Sequence, residues 1–335
     1  MPTMTSGVRL KALTPHFLDQ IPVDLTGGVV AVGNFDGMHG GHRALLSVAR
    51  AEATRRGVSA VVFTFEPHPR TVFRPETPVF RLTPLSAKAR LLGALSIDGL
   101  VVATFDRAFS TISAGAFIDE ILIGRLKLSG AVVGFNFHFG QGRAGSPALL
   151  AEAGTRKGFA VTVVDQVLEG DGAPVSSTAI RENLAAGEIA AANARLGYRW
   201  FVVGEVVNGE QRGRELGYPT ANLRLPADCR LRHGVYAVRM QRADGTLLDG
   251  VASYGRRPTF DDGAPLLEVF AFDFSGDLYG EEVSVAFVGW IRPELKFDSV
   301  PALIAAMDRD SEIARGTLAA AGPGTALDKA LASLG

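Results

Sequence analysis

The run VVAVGNFDGMHGGHRALL, residues 29–46, decides the fold of the first half of the chain. Its four leading apolar residues form a buried strand, Gly33 permits a tight turn, and Gly40-Gly41 opens an Ala- and Leu-rich helix. Backbone N–H groups at such a helix start, with the helix dipole behind them, favour a bound phosphate. His39 and His42 stand three apart on the first turn and can face one pocket. Two imidazole donors there can stabilise charge developing on a phosphoryl oxygen. Taken alone, the H-x-G-H pattern is equally served by one histidine capping a loop and another on the surface. The spacing lacks the Gly-Lys-Ser/Thr end of a Walker loop.

Working outward, apolar runs at 60–65, 99–103, 131–135 and 159–164 read as strands. They alternate with helix-forming stretches at 43–56, 87–95, 114–125 and 147–157. Strand–helix–strand repetition implies right-handed crossovers and a mostly parallel sheet, with ligands beyond the carboxyl ends of the strands. After Tyr198 the runs shorten and become β-branched or aromatic, at 201–207, 234–240, 247–254, 267–274 and 282–288. Asp244-Gly245 is a strong hairpin signal between two of them. A small barrel or sandwich follows, closed by a helix over 300–309 with Ser299 as N-cap. The tail from Ala319 is rich in small residues and is expected to be only partly ordered. No repeat is present, so the two halves are different modules joined within 184–198.

Composition bounds the function. The chain has 335 residues, long enough for two domains, and its 47% hydrophobic and 21% charged content is that of a globular protein. Lys+Arg 34 against Asp+Glu 35 leaves a formal charge of -1, so no global field draws it to nucleic acid or an anionic membrane. The lone Cys229 excludes an internal disulfide and a Cys-rich zinc site. No apolar run approaches a membrane span and the first twenty residues lack a secretory pattern, so a cytoplasmic enzyme is expected.

Further motifs supply phosphate and ring contacts. VSSTAIR (175–181) places Ser177 or Thr178 as a helix cap with Arg181 one turn on, and hydroxyls plus a guanidinium suit the phosphates of a leaving pyrophosphate. FTFEPHPR (63–70) carries His68 in an extended loop stiffened by Pro67 and Pro69. GFNFHFGQGRAG (134–145) carries Asn136 among aromatics that can pack on a heterocycle or on the interior. In the second half, GEQRGRELGYPTANL (209–223) combines Gly209, Gly213 and Gly217, which let a chain bend around phosphate, with Thr220 and Asn222 on one strand face. Oxygen ligands of that kind suit Mg²⁺ holding nucleotide phosphates, although a turn with side-chain capping is the commoner use of PTAN. Glu268 shares a strand face with Phe270, Phe272 and Phe274 and can serve as general base on an alcohol; a strand-end glutamate in water is the alternative.

These motifs, with RRPTF (256–260), LEVFAFDFSGDLYG (267–280) and IRPELKFDS (291–299), stand in an order that resembles the bacterial bifunctional riboflavin kinase/FMN adenylyltransferase family from about Gly28 to Asp310. The resemblance implies a Rossmann-like nucleotidyltransferase domain (1–190), then a six-stranded antiparallel flavokinase β-barrel (191–318) and a tail (319–335). It implies that riboflavin is phosphorylated by ATP to FMN, and that FMN is adenylylated by ATP to FAD with release of pyrophosphate. For the nucleotidyltransferase, ATP would be held by Gly33, Asn34, Phe35, Asp36, His39, His42, Asn136, Ser177, Thr178 and Arg181, the histidines being catalytic. For the kinase, Gly213, Gly217, Thr220 and Asn222 would hold ATP, Thr220 and Asn222 would hold Mg²⁺, and Glu268 would be the base. His68, Arg257, Arg292 and Phe297 would lie against the flavin.

Overall fold

The computed structural model describes residues 11–168, 175–208, 218–256 and 265–334. The chain packs as two compact units: Lys11–Val79 with Thr83–Val175, and Phe80–Leu82 with the chain from Ser176 onward.

In the first unit, six strands form one parallel sheet: β1 (Pro15–Phe17), β2 (Val29–Val32), β3 (Ala60–Glu66), β4 (Gly99–Thr104), β5 (Gly130–Gly134) and β6 (Ala160–Val164). Their spatial order is β1-β4-β3-β2-β5-β6. β2 therefore has β3 on one side and β5 on the other, and the order reverses at its carboxyl end, where an open α/β sheet leaves a crevice. All four β2 residues are buried, as two-sided cover by helices requires. The helix after β2, α1, spans Gly40–Arg56 and closes on left-handed Gly57.

Three details differ from the sequence expectation. β1 was not foreseen, because three residues at a sheet edge carry no readable period. The stretch 114–125 is a short α-turn, Ala114–Ala116, capped by Ser113, which widens into a π-helical run, Phe117–Arg125. The wider turn brings Phe117, Ile118, Ile121 and Leu122 together in the core. The third concerns the segment after β3. It is not an extended loop: the Glu66-Pro67 bond is cis, and the short helix Pro69–Phe73 begins at once.

In the second unit, the helices Ser177–Ala186 and Ile189–Leu196 lead into β7 (Phe201–Val207), β8 (Ala221–Arg224), β9 (Gly234–Gln241), β10 (Leu247–Arg256), β11 (Pro265–Ala271) and β12 (Glu282–Arg292). These close into an antiparallel barrel in the order β10-β11-β8-β7-β12-β9. The β9–β10 hairpin turns at Asp244-Gly245, with Gly245 at φ 89 and the Asp244 carboxylate accepting from the Thr246 N–H at 2.8 Å. β11 stops at Ala271 rather than at 274, because Asp273 turns to φ 55, where Arg315 grips its carboxylate at 2.8 and 3.0 Å. β12 runs on to Arg292, with register shifts at Phe287/Gly289 and Trp290/Arg292 that bend it.

Ser299 caps the following helix as expected, but the helix extends over Val300–Ala321 and packs Ala314 and Leu318 on Val235, Ala237, Val251 and Phe272. The tail is ordered. Ala326–Ala332 forms a helix opened by a Thr325/Asp328 capping box, and Asp328 also accepts from the Arg199 N–H at 2.8 Å.

The long helix is fixed to β12 by a buried ion pair: Arg292 Nη2 and Nε donate to Asp310 at 2.6 and 2.8 Å, and Asp310 is 5% exposed. Removing Asp310 leaves the partly buried Arg292 guanidinium without its counterion. Asp310→Ala is therefore expected to lower unfolding stability by about 3–5 kcal/mol. Arg292→Met with Asp310→Ala should recover a good part of it in urea titrations. A double variant no more stable than the single one would contradict this.

Candidate active sites

The loop from β2 to α1 holds the histidines. His39 occupies the N-cap position with extended backbone and makes no side-chain cap, so α1 opens on bare N–H groups. The His39 and His42 rings stack at 3.9 Å between centroids with 20° between planes, and Phe35 meets His42 edge-on at 5.5 Å. His39 is buried and His42 partly buried, with the Nδ1 atom of each ring out of contact with solvent. Burial, then the neighbouring Arg43, lowers the His39 pKa to about 4, with Asp36 opposing. Burial, then the facing His39, holds His42 well below the ordinary range. Both rings are neutral near pH 7, and each then has one N–H donor. The Nδ1 atoms of both rings and Asn34 Oδ1 are buried without a hydrogen-bond partner.

The loop conformation is strained and pinned. Phe35, Gly37 and Met38 have φ of 48, 93 and 44°, and for the two non-glycine residues this costs on the order of 1–3 kcal/mol each. Gly33 is not in the left-handed region; its role is contact, since a Cβ there would meet the Phe35 ring at 3.3 Å. Asp36 is buried and its Oδ1 accepts from the Thr83 N–H at 2.9 Å, while the Gly37 N–H donates to Thr83 Oγ1 at 2.9 Å. Asp36 thus holds the loop in shape.

The remaining expected residues of this half fall as follows. His68 is the N-cap of the short helix after β3, its Nδ1 accepting from the Arg70 N–H at 3.2 Å. Asn136 is exposed just beyond β5, next to exposed Phe135, while Phe137 and Phe139 pack inward. β2 and β5 are neighbours, so Asn136 and the histidine loop leave the same edge of the sheet. The cap in VSSTAIR is Ser176, which accepts from the Ala179 N–H at 3.2 Å; Ser177 and Thr178 are not caps but lie in the first helical turn. Arg181 Nε donates to the Phe80 carbonyl at 2.7 Å. These three residues belong to the second compact unit.

In the barrel, the β8–β11 register sets Asn222 directly opposite Glu268. Asn222 is buried with Oδ1 unpartnered, and its Nδ2 donates to the Thr220 carbonyl at 3.4 Å. Glu268 is half-buried and alternates with inward Leu267 and Val269, on the face of Phe270. It is mid-strand, not at a strand end. Arg292 is committed to Asp310, with its guanidinium 5.7 Å from the Phe297 ring. Gly209, Gly213, Gly217 and Arg257 lie outside the described residues.

Comparisons with known proteins cover both halves of the chain. A family model described as FAD synthetase covers residues 21–179, and one described as riboflavin kinase covers 196–318. The bifunctional riboflavin kinase/FMN adenylyltransferase of Escherichia coli (strain K12) is 39% identical over 300 residues, 90% of this chain and 95% of that one. The chain belongs to the bifunctional riboflavin kinase/FMN adenylyltransferase family. The member from Listeria monocytogenes is 39% identical over 87% of this chain and 92% of its own. A solved structure described as a macrolide-efflux protein from Streptococcus pneumoniae superposes with a TM-score of 0.78 at 31% identity, covering 91% of this chain and 99% of that one. Among the described residues no helix is long and apolar enough to cross a membrane.

Two contacts in this family member were not foreseen. Lys88 is fully buried behind the histidine loop, bonded to Asn34, Thr64 and Glu66. Tyr218, just before Pro219, donates to Asp308 of the long helix, which pushes its own pKa up to about 12. Each joins residues far apart in the chain, so no local spacing announces it.

The stacked imidazoles make acid stability a test. Because His39 titrates at about 4 when folded and 6.5 when unfolded, protons bind the unfolded chain first, and stability falls as pH drops from 6.5 towards 4. His39→Gln should remove about 2 kcal/mol of the stability difference between pH 7 and pH 5. Equal acid sensitivity in the variant and the parent would contradict a neutral His39.

Proposed function

We propose that this bifunctional enzyme makes FMN in the barrel and FAD at the histidine loop, with each reaction attacking ATP at a different phosphorus. The observation that carries the assignment is a pair of polar sites, each with buried atoms that lack a hydrogen-bond partner: the Nδ1 atoms of the stacked imidazoles at a bare helix start, and Oδ1 of Asn222, which stands opposite Glu268. As functional domains the proposed division remains 1–190, 191–318 and 319–335, supported by the two family matches.

In the barrel, the 5′-hydroxyl of riboflavin attacks the γ-phosphate of ATP, the bond to the β,γ-bridging oxygen breaks, and ADP leaves. Glu268 accepts the hydroxyl proton, and alignment does most of the remaining work. Among the described residues no group of three or more His, Cys, Asp or Glu is placed to hold a metal. The fit is instead to a nucleotide-borne cation, with Asn222 Oδ1 as an unpartnered buried oxygen. Thr220 and Asn222 would hold Mg²⁺, which when bound offsets charge on the phosphates. Phe297 is assigned to the flavin, with Arg292 placing it and Arg257 assigned from its motif alone.

At the histidine loop, the phosphate of FMN attacks the α-phosphate of ATP and pyrophosphate leaves. A phosphate dianion needs no base, so neutral His39 and His42 act as hydrogen-bond donors to the developing charge. The α1 N–H groups add to the same field. Gly33, Asn34 and Phe35 would line the nucleotide side, Asp36 would keep their shape, and Asn136 would contact the nucleotide. Assignment of Ser177, Thr178 and Arg181 to the pyrophosphate rests on their chemistry, two hydroxyls and a guanidinium. His68 is assigned to the flavin. A cytoplasmic location fits the use of ATP in both steps.

Chromatography of riboflavin, FMN and FAD tests this. His42→Ala should lower FAD formation by about 10²-fold or more while FMN accumulates. Glu268→Ala should lower FMN formation by about 10²–10⁴-fold while added FMN is still converted to FAD. Parallel loss of both products in either variant would overturn the division.

A further inference from the structure

The buried cation behind the histidine loop takes part in none of these steps. Lys88 projects from the helix Leu85–Ala94 and has no exposed surface. Its Nζ donates to the Asn34 carbonyl at 2.9 Å and Thr64 Oγ1 at 3.1 Å, and lies 3.4 Å from Glu66 Oε1. An ammonium has three N–H donors, so these three acceptors satisfy it. They come from one loop and from the end of the neighbouring strand. Asn34 follows β2 and immediately precedes left-handed Phe35, while Thr64 and Glu66 end β3, one residue before the Pro67-His68 turn. The Thr64 hydroxyl lies 3.2 Å from the same Asn34 carbonyl, so that carbonyl is gripped from two sides.

The pinned carbonyl belongs to the residue where the chain leaves the sheet for the strained turn that presents His39 and His42. The carboxylate belongs to the residue where the other loop begins. A side chain placed this way does not reach the reacting atoms, yet it sets the spacing of both loops. Its charge also bears on His42, whose pKa it lowers alongside burial and His39.

We propose that Lys88 is a positioning residue of the adenylyltransferase centre, holding the nucleotide-side loop through Asn34 and the flavin-side loop through Glu66 in one fixed spacing. The proposal rests on assigning ATP to the histidine loop and FMN to the His68 loop. Without the ammonium, each loop keeps its residues but loses its place relative to the other, so both substrates bind less well and meet less often in line.

The experiment is steady-state adenylylation of FMN by the full-length chain, with KM for ATP and for FMN measured separately from kcat. Lys88→Met, similar in length and without donors, should raise both KM values at least fivefold and lower kcat by tenfold or more. Riboflavin phosphorylation should stay within twofold. Because a buried lysine can be needed for folding, two milder variants split the effect. Glu66→Gln should raise KM for FMN more than KM for ATP, and Thr64→Val should do the reverse. Loss of kcat with both KM values unchanged marks a residue that only keeps the protein folded, and overturns the proposal. So do unchanged constants in all three variants. The site assignment is judged apart from these, by parent protein that makes FAD and His42→Ala protein that does not.

Discussion

Two imidazoles can lie face to face at 3.9 Å inside a protein only while at least one is uncharged, and here burial keeps both neutral. That constraint organises the histidine loop. Neutral rings can be packed under Phe35 and against the start of α1, whereas charged ones would need counterions and water. The result is a loop edge that presents neutral imidazoles, with the charges of Arg43 and Lys88 close enough to help keep them so. Their N–H donors can act on phosphate oxygens as charge shifts during transfer, and they do not reorganise when it does.

Holding that geometry takes a good deal of surrounding structure. The turn contains two non-glycine residues at positive φ, Phe35 and Met38, and it is clamped from two directions. Thr83 bonds Asp36 and Gly37 on one side, and Lys88 with Thr64 grips Asn34 on the other. The barrel uses a different device. There the antiparallel register alone sets Asn222 opposite Glu268. Ion pairs from the long helix, Asp310 to Arg292 and Asp273 to Arg315, fix strand ends and the turns that follow them.

How far these features can be seen in the sequence depends on the range of the interaction that makes them. β2 and the opening of α1 were legible because a run of apolar residues, two glycines and a histidine pair are adjacent in the chain. That Glu268 shares a face with Phe270 was legible because strand alternation has a period of two, whereas its place opposite Asn222 needs the β8–β11 register. The cap at Ser176 was placed one or two residues late, since three neighbouring hydroxyls offer the same chemistry and only backbone angles choose among them. The ordered tail was missed because its docking depends on Arg199 and Gln241, more than eighty residues away. Lys88 was invisible for a related reason. In sequence it is one lysine in an Ala- and Leu-rich helix, and only the parallel sheet brings Asn34, Thr64 and Glu66 to its ammonium.

The claim that two independent centres share one chain is tested most directly by mixing two crippled proteins. His42→Ala retains the kinase centre and Glu268→Ala retains the adenylyltransferase centre, so neither alone should turn riboflavin and ATP into FAD. Combined with Mg²⁺, they should restore FAD formation, with free FMN appearing first and its level setting the rate. A mixture that builds up FMN but no FAD, or that makes neither, would contradict the account.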